Sequence, residues 1–283
     1  MIRIISDSST LYSSEEASKN NLDISPLTVT INGKTYKELE DIKTEEFIEI
    51  INQGHIPTSS QPAIGDVVEI YNKYPNDEII NITMADGLSG TYNSACMAKE
   101  MSKHKDLITV INSRVLCGPH RYIVDIAAKL AELNKSKLEI INVVESLINT
   151  AKSFLLPNDF KYLVRGGRLS KLAGSIGEII KIVPVMTQTE DGTRLKKHTT
   201  GRSFRRAVEA ICDYFKEMGV NEKYKVYIYH ACNEIQAMLA KEIISKHIKN
   251  IDIEMNLLTP AFTTQGGPGC VAIQVIKKYE FIK

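Results

Sequence analysis

Short apolar runs alternate with polar stretches through the first half of the chain. The runs at residues 2–5, 78–83 and 107–112 are too short for helices, and two of them are followed by turns rich in Ser, Thr or Gly. Such runs are typical of buried strands. Helical patterns follow from about residues 44, 63, 91 and 121. This repeated order of strand, turn and helix predicts a parallel sheet with helices on its faces.

Two hairpins are also predicted. Residues 27–31 alternate in polarity and meet Asn32-Gly33, a strong hairpin signal, and residues 34–36 would form the returning strand. In the second half, residues 185–189 and 194–198 flank another turn. The remaining predicted elements are a helix at 203–217, a strand at 225–229, a helix at 234–246, a strand at 251–258 and a last apolar run at 270–276.

These patterns predict two domains with different architecture. A helix near residues 138–153 closes the first half, and Pro157 interrupts the pattern after it. We therefore expect an α/β domain with a parallel sheet at residues 1–155. An α+β domain with a mixed or antiparallel sheet is expected at residues 156–283. A length of 283 residues suits two domains.

Composition excludes several classes of protein. The net charge of +1 and the lack of a clustered basic segment argue against a nucleic-acid partner. The five cysteines are odd in number and form no C-x-x-C, and the six histidines lack ligand spacing, so we expect no metal, no cofactor and a reducing compartment. No apolar run is long enough to span a membrane. The chain is expected to be cytoplasmic.

Candidate chemistry concentrates in turns rich in Gly, Ser and Thr. The first turn follows the initial strand and contains Asp7, and open α/β sheets bind ligands beyond the carboxyl ends of their strands. Asp7 could face a ligand or act as a base. It could equally cap its own turn by accepting backbone N–H groups.

The second and third turns each precede a predicted helix. Ser59 and Ser60 stand before Pro62, with Ser60 suited to the helix N-cap, and Ser89 and Thr91 surround Gly90. Hydroxyls beside a helix N-terminus can bind an anion, although plain helix capping explains the same residues. The third turn lacks the lysine of a P-loop, so phosphate transfer from a nucleotide is not indicated.

A fourth turn, Gly266-Gly267-Pro268-Gly269, contains more glycine than a simple turn requires, which favours a backbone that a ligand approaches. Arg168 could pair with an anionic group, while Arg165 could do the same or face solvent. One alternative is a small-anion or ester hydrolase or transferase that uses Asp7, Ser89 and Arg168. The chain has no G-x-S-x-G nucleophile motif to support it.

Taken in order, these turns resemble the motifs of the DegV family. No single motif is decisive, but five in the family's order cover essentially the whole chain. They are Asp7-Ser8-Ser9, Ser59-Ser60-Gln61-Pro62, Leu88-Ser89-Gly90-Thr91, Gly166-Gly167-Arg168 and Gln265-Gly266-Gly267-Pro268-Gly269.

The resemblance implies a non-enzymatic lipid-binding protein that buries one long-chain fatty acid at the junction of the two domains. It implies that the carboxylate is held by Ser59 and Ser89, and the matching motifs add the following residues to this expected site: Ser60, Gly90 and Thr91. The headgroup would lie near Asp7, Arg168, Gln265 and Gly267. In some family members a separate ATP-binding fatty acid kinase subunit phosphorylates the bound carboxylate.

Two positions depart from the family pattern. The threonine of T-S-Q-P is Ser59, which keeps the hydroxyl group. The histidine of H-x-G-P-G is Gln265, which keeps a donor but cannot carry a charge. Carboxylate binding tolerates the second change more easily than the handling of an acyl phosphate. The sequence does not indicate the length or saturation of the acyl chain.

Overall fold

The computed structural model of the chain describes residues 1–170 and 182–281. Over these residues it contains two units, each built around its own sheets and helices. Within these same two ranges, none of the helices is long and apolar enough to cross a membrane.

The first unit contains a four-stranded parallel sheet in the order β2-β1-β6-β7. Its strands are β1 (Ile2–Asp7), β2 (Leu22–Ser25), β6 (Glu78–Thr83) and β7 (Ile108–Asn112). They are short and mostly buried because helices cover the sheet. Since the strands are parallel, the turns after β1 and β6 meet at one edge.

A small antiparallel sheet packs beside it in the order β4-β3-β5. The hairpin of β3 (Thr28–Ile31) and β4 (Lys34–Lys37) turns at Asn32-Gly33, as predicted. The third strand is β5 (Thr58–Ser60), which pairs with β3. The prediction of a loop here was wrong, because the backbone of this hydroxyl-rich segment completes the edge of the sheet.

Six helices surround these strands. Ser13 and Ser136 begin two of them with capping boxes, in which the serine and a glutamate three residues later bond reciprocally to backbone N–H groups. The six are α1 (Ser14–Ser18), α2 (Thr44–Asn52), α3 (Ile64–Asn72), α4 (Thr91–Met101), α5 (Cys117–Glu132) and α6 (Lys137–Ile148).

The second unit is built on a mixed six-stranded sheet in the order β10-β9-β8-β13-β11-β12, in which only β11 and β12 are parallel among the described strands. Its strands are β8 (Lys152–Leu156), β9 (Val183–Gln188), β10 (Leu195–Gly201), β11 (Tyr224–His230), β12 (Asp252–Leu257) and β13 (Val271–Lys277). Its helices are α7 (Phe160–Gly166), α8 (Phe204–Glu217), α9 (Glu234–His247) and α10 (Pro260–Gly266). This arrangement confirms the predicted fold class.

Two elements of the second unit differ from the sequence prediction. The helix expected to run to residue 153 ends at Ile148, and β8 follows it. The turn around Gly266 is the end of α10, which the sequence analysis missed. The predicted division after residue 155 falls inside β8, which pairs with β9 and β13 among the described strands. We propose instead that the units divide just before Lys152.

Hydrogen bonds join the two units across their junction. Thr44 is the first residue of α2, and its Oγ1 donates to the carbonyl oxygen of Leu258 at 2.7 Å. A shared apolar cluster contains α5 residues such as Ile123 together with β11 residues such as Tyr229. The junction is therefore a packed interior.

Candidate functional site at the junction of the two units

The turns after β1 and β6 are joined by the carboxylate of Asp7. This side chain is fully buried, and its Oδ1 accepts from the backbone N–H of Ser9 at 3.0 Å. Its Oδ2 accepts from the backbone N–H of Met84 at 2.9 Å. Two charge-assisted bonds of this kind stabilise a buried carboxylate. Both carboxylate oxygens of Asp7 therefore bind backbone N–H groups, as the capping alternative predicts.

Ser59 meets the second unit directly. It lies on β5 opposite Val29, and its Oγ accepts from Nε2 of Gln265 at 3.0 Å. Gln265 stands near the C-terminal end of α10, so this helix brings two distant turns together. Because Oγ receives this bond, the hydroxyl proton of Ser59 can be directed toward a third group.

Ser60 differs from Ser59. Successive strand residues point to opposite faces, so the Ser60 side chain faces away from that of Ser59, and it is exposed. It does not cap α3 either, because the N-cap residue is Ala63. The predicted pairing of the Ser59 and Ser60 side chains in one site therefore lacks geometric support.

The third turn supplies two adjacent hydroxyls. Oγ of Ser89 and Oγ1 of Thr91 are 2.8 Å apart, and Thr91 begins α4 after the N-cap residue Gly90. A Cβ placed on Gly90 would lie 2.5 Å from Oε1 of Gln61. The absence of a side chain at Gly90 therefore lets the second and third turns touch.

Arg168 reaches the third turn from the second unit. Its Nε donates to the carbonyl oxygen of Leu88 at 3.2 Å, and its Nη1 donates to that of Gly166 at 2.5 Å. Burial, together with the positive charge of Arg194, lowers the pKa of Arg168 from its ordinary value. An arginine nevertheless keeps its charge in proteins, so Arg168 contributes a half-buried cation beside Ser89.

The glycines of the fourth and fifth motifs allow side chains to pack closely. A Cβ on Gly166 would lie 2.1 Å from Oε1 of Gln265, and one on Gly267 would lie 2.6 Å from Cδ2 of Tyr162. Gly267 also has a positive φ of 79°. The group that approaches Gly267 is thus the Tyr162 ring, where the sequence analysis expected a ligand.

An apolar cavity of about 100 Å³ lies beneath these turns. Leu88, Arg168 and Gln265 lie on its wall beside the hydroxyl-bearing turns, and Gln274 and Ser153 add polar groups elsewhere. Asp7, Ser59 and Ser89 are outside this wall. Its apolar lining comes from both units: Met84, Leu116, Leu155, Leu163, Met186, Leu195, Leu258, Phe262 and Ala272.

The structure adds two buried polar groups that the sequence analysis did not identify. Glu38 accepts from Oγ of Ser8 at 2.5 Å and from the backbone N–H of Ala261, at the start of α10, at 2.8 Å. Burial raises the pKa of Glu38 to about 7, against the opposing effect of these hydrogen bonds. No sequence signal near Lys37-Glu38-Leu39 indicates this contact, because its partner lies 223 positions away.

His120 is the second such group. Its ring is fully buried, with Nδ1 2.7 Å from Oγ of Ser9 and Nε2 3.2 Å from Oγ of Ser6. Burial lowers the pKa of His120, which favours the neutral ring. Among the residues that the structure describes, no cluster of His, Cys, Asp or Glu could hold a metal ion.

Comparison with known proteins identifies the family of this chain. A family model described as "Uncharacterised protein, DegV family" matches residues 1–278. The chain belongs to the DegV family. A DegV domain-containing protein of Staphylococcus aureus strain N315 is 33% identical to it over 281 residues, which cover 97% of this chain and 98% of that protein.

Solved structures of the DegV family share the fold. The crystal structure of DegV from Bacillus subtilis, named a fatty acid binding protein, is 25% identical, with a TM-score of 0.83 and coverage of 98% and 99% of the two chains. A DegV family protein from Thermus thermophilus, described for its fatty acid binding, has a TM-score of 0.87 at 22% identity, with the same coverage. The likeness to the Thermus thermophilus protein shows a shared fold alone.

Proposed function

We propose that this DegV-family chain binds one long-chain fatty acid and does not transform it. The carboxylate would be held by Ser59 and Ser89 and the tail would occupy the apolar cavity at the junction. The observation that carries this proposal is the position of that cavity, whose Arg168 and Gln265 side chains contact the turns that bear the two hydroxyls. The named ligand of the Bacillus subtilis relative supports the same class of ligand.

The proposed headgroup contacts offset the free-energy cost of moving a carboxylate out of water. An ionised carboxylate cannot leave water without donors or a counter-charge. Ser59 has a hydroxyl proton to donate because its oxygen receives the bond from Gln265. Ser89 and Thr91 supply hydroxyls at the start of α4, and Arg168 supplies positive charge on the same side.

Burial of the tail would supply most of the binding free energy. About 14 methylenes at about 0.8 kcal/mol each contribute roughly 11 kcal/mol, from which association removes several kcal/mol. A volume of about 100 Å³ is too small for such a tail, since pockets that bury ligands of this size measure about 300–1,000 Å³. Binding therefore requires flexible wall residues such as Met186 to move apart.

Native mass spectrometry of the purified protein tests this proposal. We expect an added mass equal to one fatty acid, removable by organic extraction and restored when the acid is returned. A delipidated protein that takes up no fatty acid of any length would contradict the proposal.

The family resemblance extends the proposal to a partner, an ATP-binding fatty acid kinase subunit in the cytoplasm. Gln265 bears on this step, because an amide beside Ser59 cannot carry a proton as the histidine of the family pattern can. Acyl phosphate can be trapped with hydroxylamine after the loaded protein is mixed with such a kinase and ATP. We expect Gln265→His to increase the trapped product. If neither the native chain nor Gln265→His gives any product, the partnership is contradicted.

The hydrolase alternative loses its proposed base. Both carboxylate oxygens of Asp7 accept backbone N–H groups, and Oγ of Ser89 lies 2.8 Å from Oγ1 of Thr91. Asp7 and Ser89 therefore make no hydrogen bond with each other. Turnover of an ester by the chain alone, abolished by Ser89→Ala, would restore this alternative.

A further inference from the structure

The face of the six-stranded sheet that lines the cavity changes from apolar to polar within two residues. Ala272 and Gln274 point to the same side of β13, and they pair across β8 with Leu155 and Ser153. All four residues line the cavity. The apolar wall formed by Ala272 and Leu155 is therefore followed, about 7 Å further along the strands, by a polar pair.

The amide of Gln274 is held from three directions. Its Nε2 donates to Oγ of Ser153 at 2.8 Å and to the carbonyl oxygen of Leu116 at 3.0 Å. Its Oε1 accepts from the backbone N–H of Gly118 at 3.1 Å. The residue is 1% exposed, so displacing the amide would leave buried groups unpaired.

The space beside this amide is filled. Tyr227 stands opposite Gln274 on β11 and is 2% exposed. A Cβ on Gly118 would lie 2.2 Å from Cγ of Tyr227, so the start of α5 rests directly on that ring. The start of α5 and the ring of Tyr227 therefore pack together beside Gln274.

We propose that Gln274, together with Ser153, is the end-stop that limits the length of the fatty acid tail. This inference rests on the proposed function and adds a determinant of chain length to it. Apolar side chains such as Met186 lose little when a tail pushes them aside, because they make no directional bonds. The bonded amide resists such displacement, so the terminal methyl group stops against it.

The test is a competition among fatty acids of increasing length. Delipidated protein is offered an equimolar series of saturated acids of even chain length, and native mass spectrometry records which acids are retained. In Gln274→Ala the removed amide leaves room, and the most retained acid is expected to be at least one member of the series longer. In Ser153→Leu the added side chain shortens the site, and the shift is expected in the opposite direction.

Ser60→Ala is the matched control, because the Ser60 side chain is exposed and faces away from that of Ser59, so the most retained acid stays unchanged. Ser153→Leu keeps the bonds from Gln274 to Leu116 and Gly118, so it decides the question alone if Gln274→Ala does not fold. If Gln274→Ala and Ser153→Leu both retain the same acid as the wild-type protein, the end-stop is overturned and the proposed function remains intact. A wild-type protein that retains no acid would overturn both.

Discussion

At the scale of single residues, the hydroxyls of β5 offer a direct comparison. Ser59 contacts Gln265 at the junction, whereas its neighbour Ser60 points to the opposite face and is exposed. We expect Ser59→Ala to weaken fatty acid binding by about 1–3 kcal/mol, the cost of leaving a buried polar partner unmet. Ser60→Ala should leave the affinity unchanged. Equal affinities of the two variants in a calorimetric titration would remove Ser59 from the site.

Glu38 gives a prediction of pH dependence. Its pKa is about 7 in the folded chain against an ordinary value of 4.5, chiefly because burial disfavours the charge, and the nearby Asp7 adds to the effect. The stability that a raised carboxyl pKa contributes is complete below pH 4.5 and is lost as pH rises through about 7. At about 1.4 kcal/mol per pH unit, the loss amounts to roughly 3 kcal/mol.

Glu38→Gln isolates this effect. Glutamine resembles the protonated acid and can still accept from the N–H of Ala261. Chemical unfolding of both proteins between about pH 4.5 and 8 measures the difference. The free energy of unfolding of the variant, relative to the native chain, is expected to rise with pH. A constant difference across this range would show that Glu38 titrates near its ordinary pKa.

At the scale of elements, the start of α5 depends on close packing against β11. A Cβ on Gly118 would lie 2.2 Å from Cγ of the buried Tyr227 ring, whereas one on Gly65, in α3, meets nothing within 4 Å. We expect Gly118→Ala to destabilise the protein by about 1–3 kcal/mol through overpacking. Gly65→Ala should be neutral or stabilising by up to about 1 kcal/mol. Thermal unfolding compares the two, and a neutral Gly118→Ala would contradict the packing.

Some elements could be predicted from local sequence signals, and others could not. The hairpin that turns at Asn32-Gly33 and the helix that begins after Ser203 carry local signals and were predicted. β5 has three hydroxyl-bearing residues and no apolar alternation, so only its pairing with β3 makes it a strand. α10 has one signal, Pro260 at its first turn, and two β-branched residues obscure the rest of the helix.

At the scale of the whole molecule, the site depends on contacts that no local pattern contains. Ser59 and Gln265 are 206 positions apart, and the partners Glu38 and Ala261 are 223 positions apart. The ordered motifs of the sequence indicated the family and the turns. They left open whether Asp7 caps its own turn or faces a ligand, and they could not show that Tyr162 occupies the space at Gly267. Those outcomes follow from packing within each unit.

The central claim is that a carboxylate lies between the hydroxyls of the two turns while its tail fills the cavity below. A crystal structure of the chain loaded with one saturated long-chain fatty acid tests this claim most directly. The account predicts carboxylate oxygens within about 3 Å of Oγ of both Ser59 and Ser89, with the tail running toward Gln274. A fatty acid bound elsewhere, or with its carboxylate far from both hydroxyls, would contradict the account.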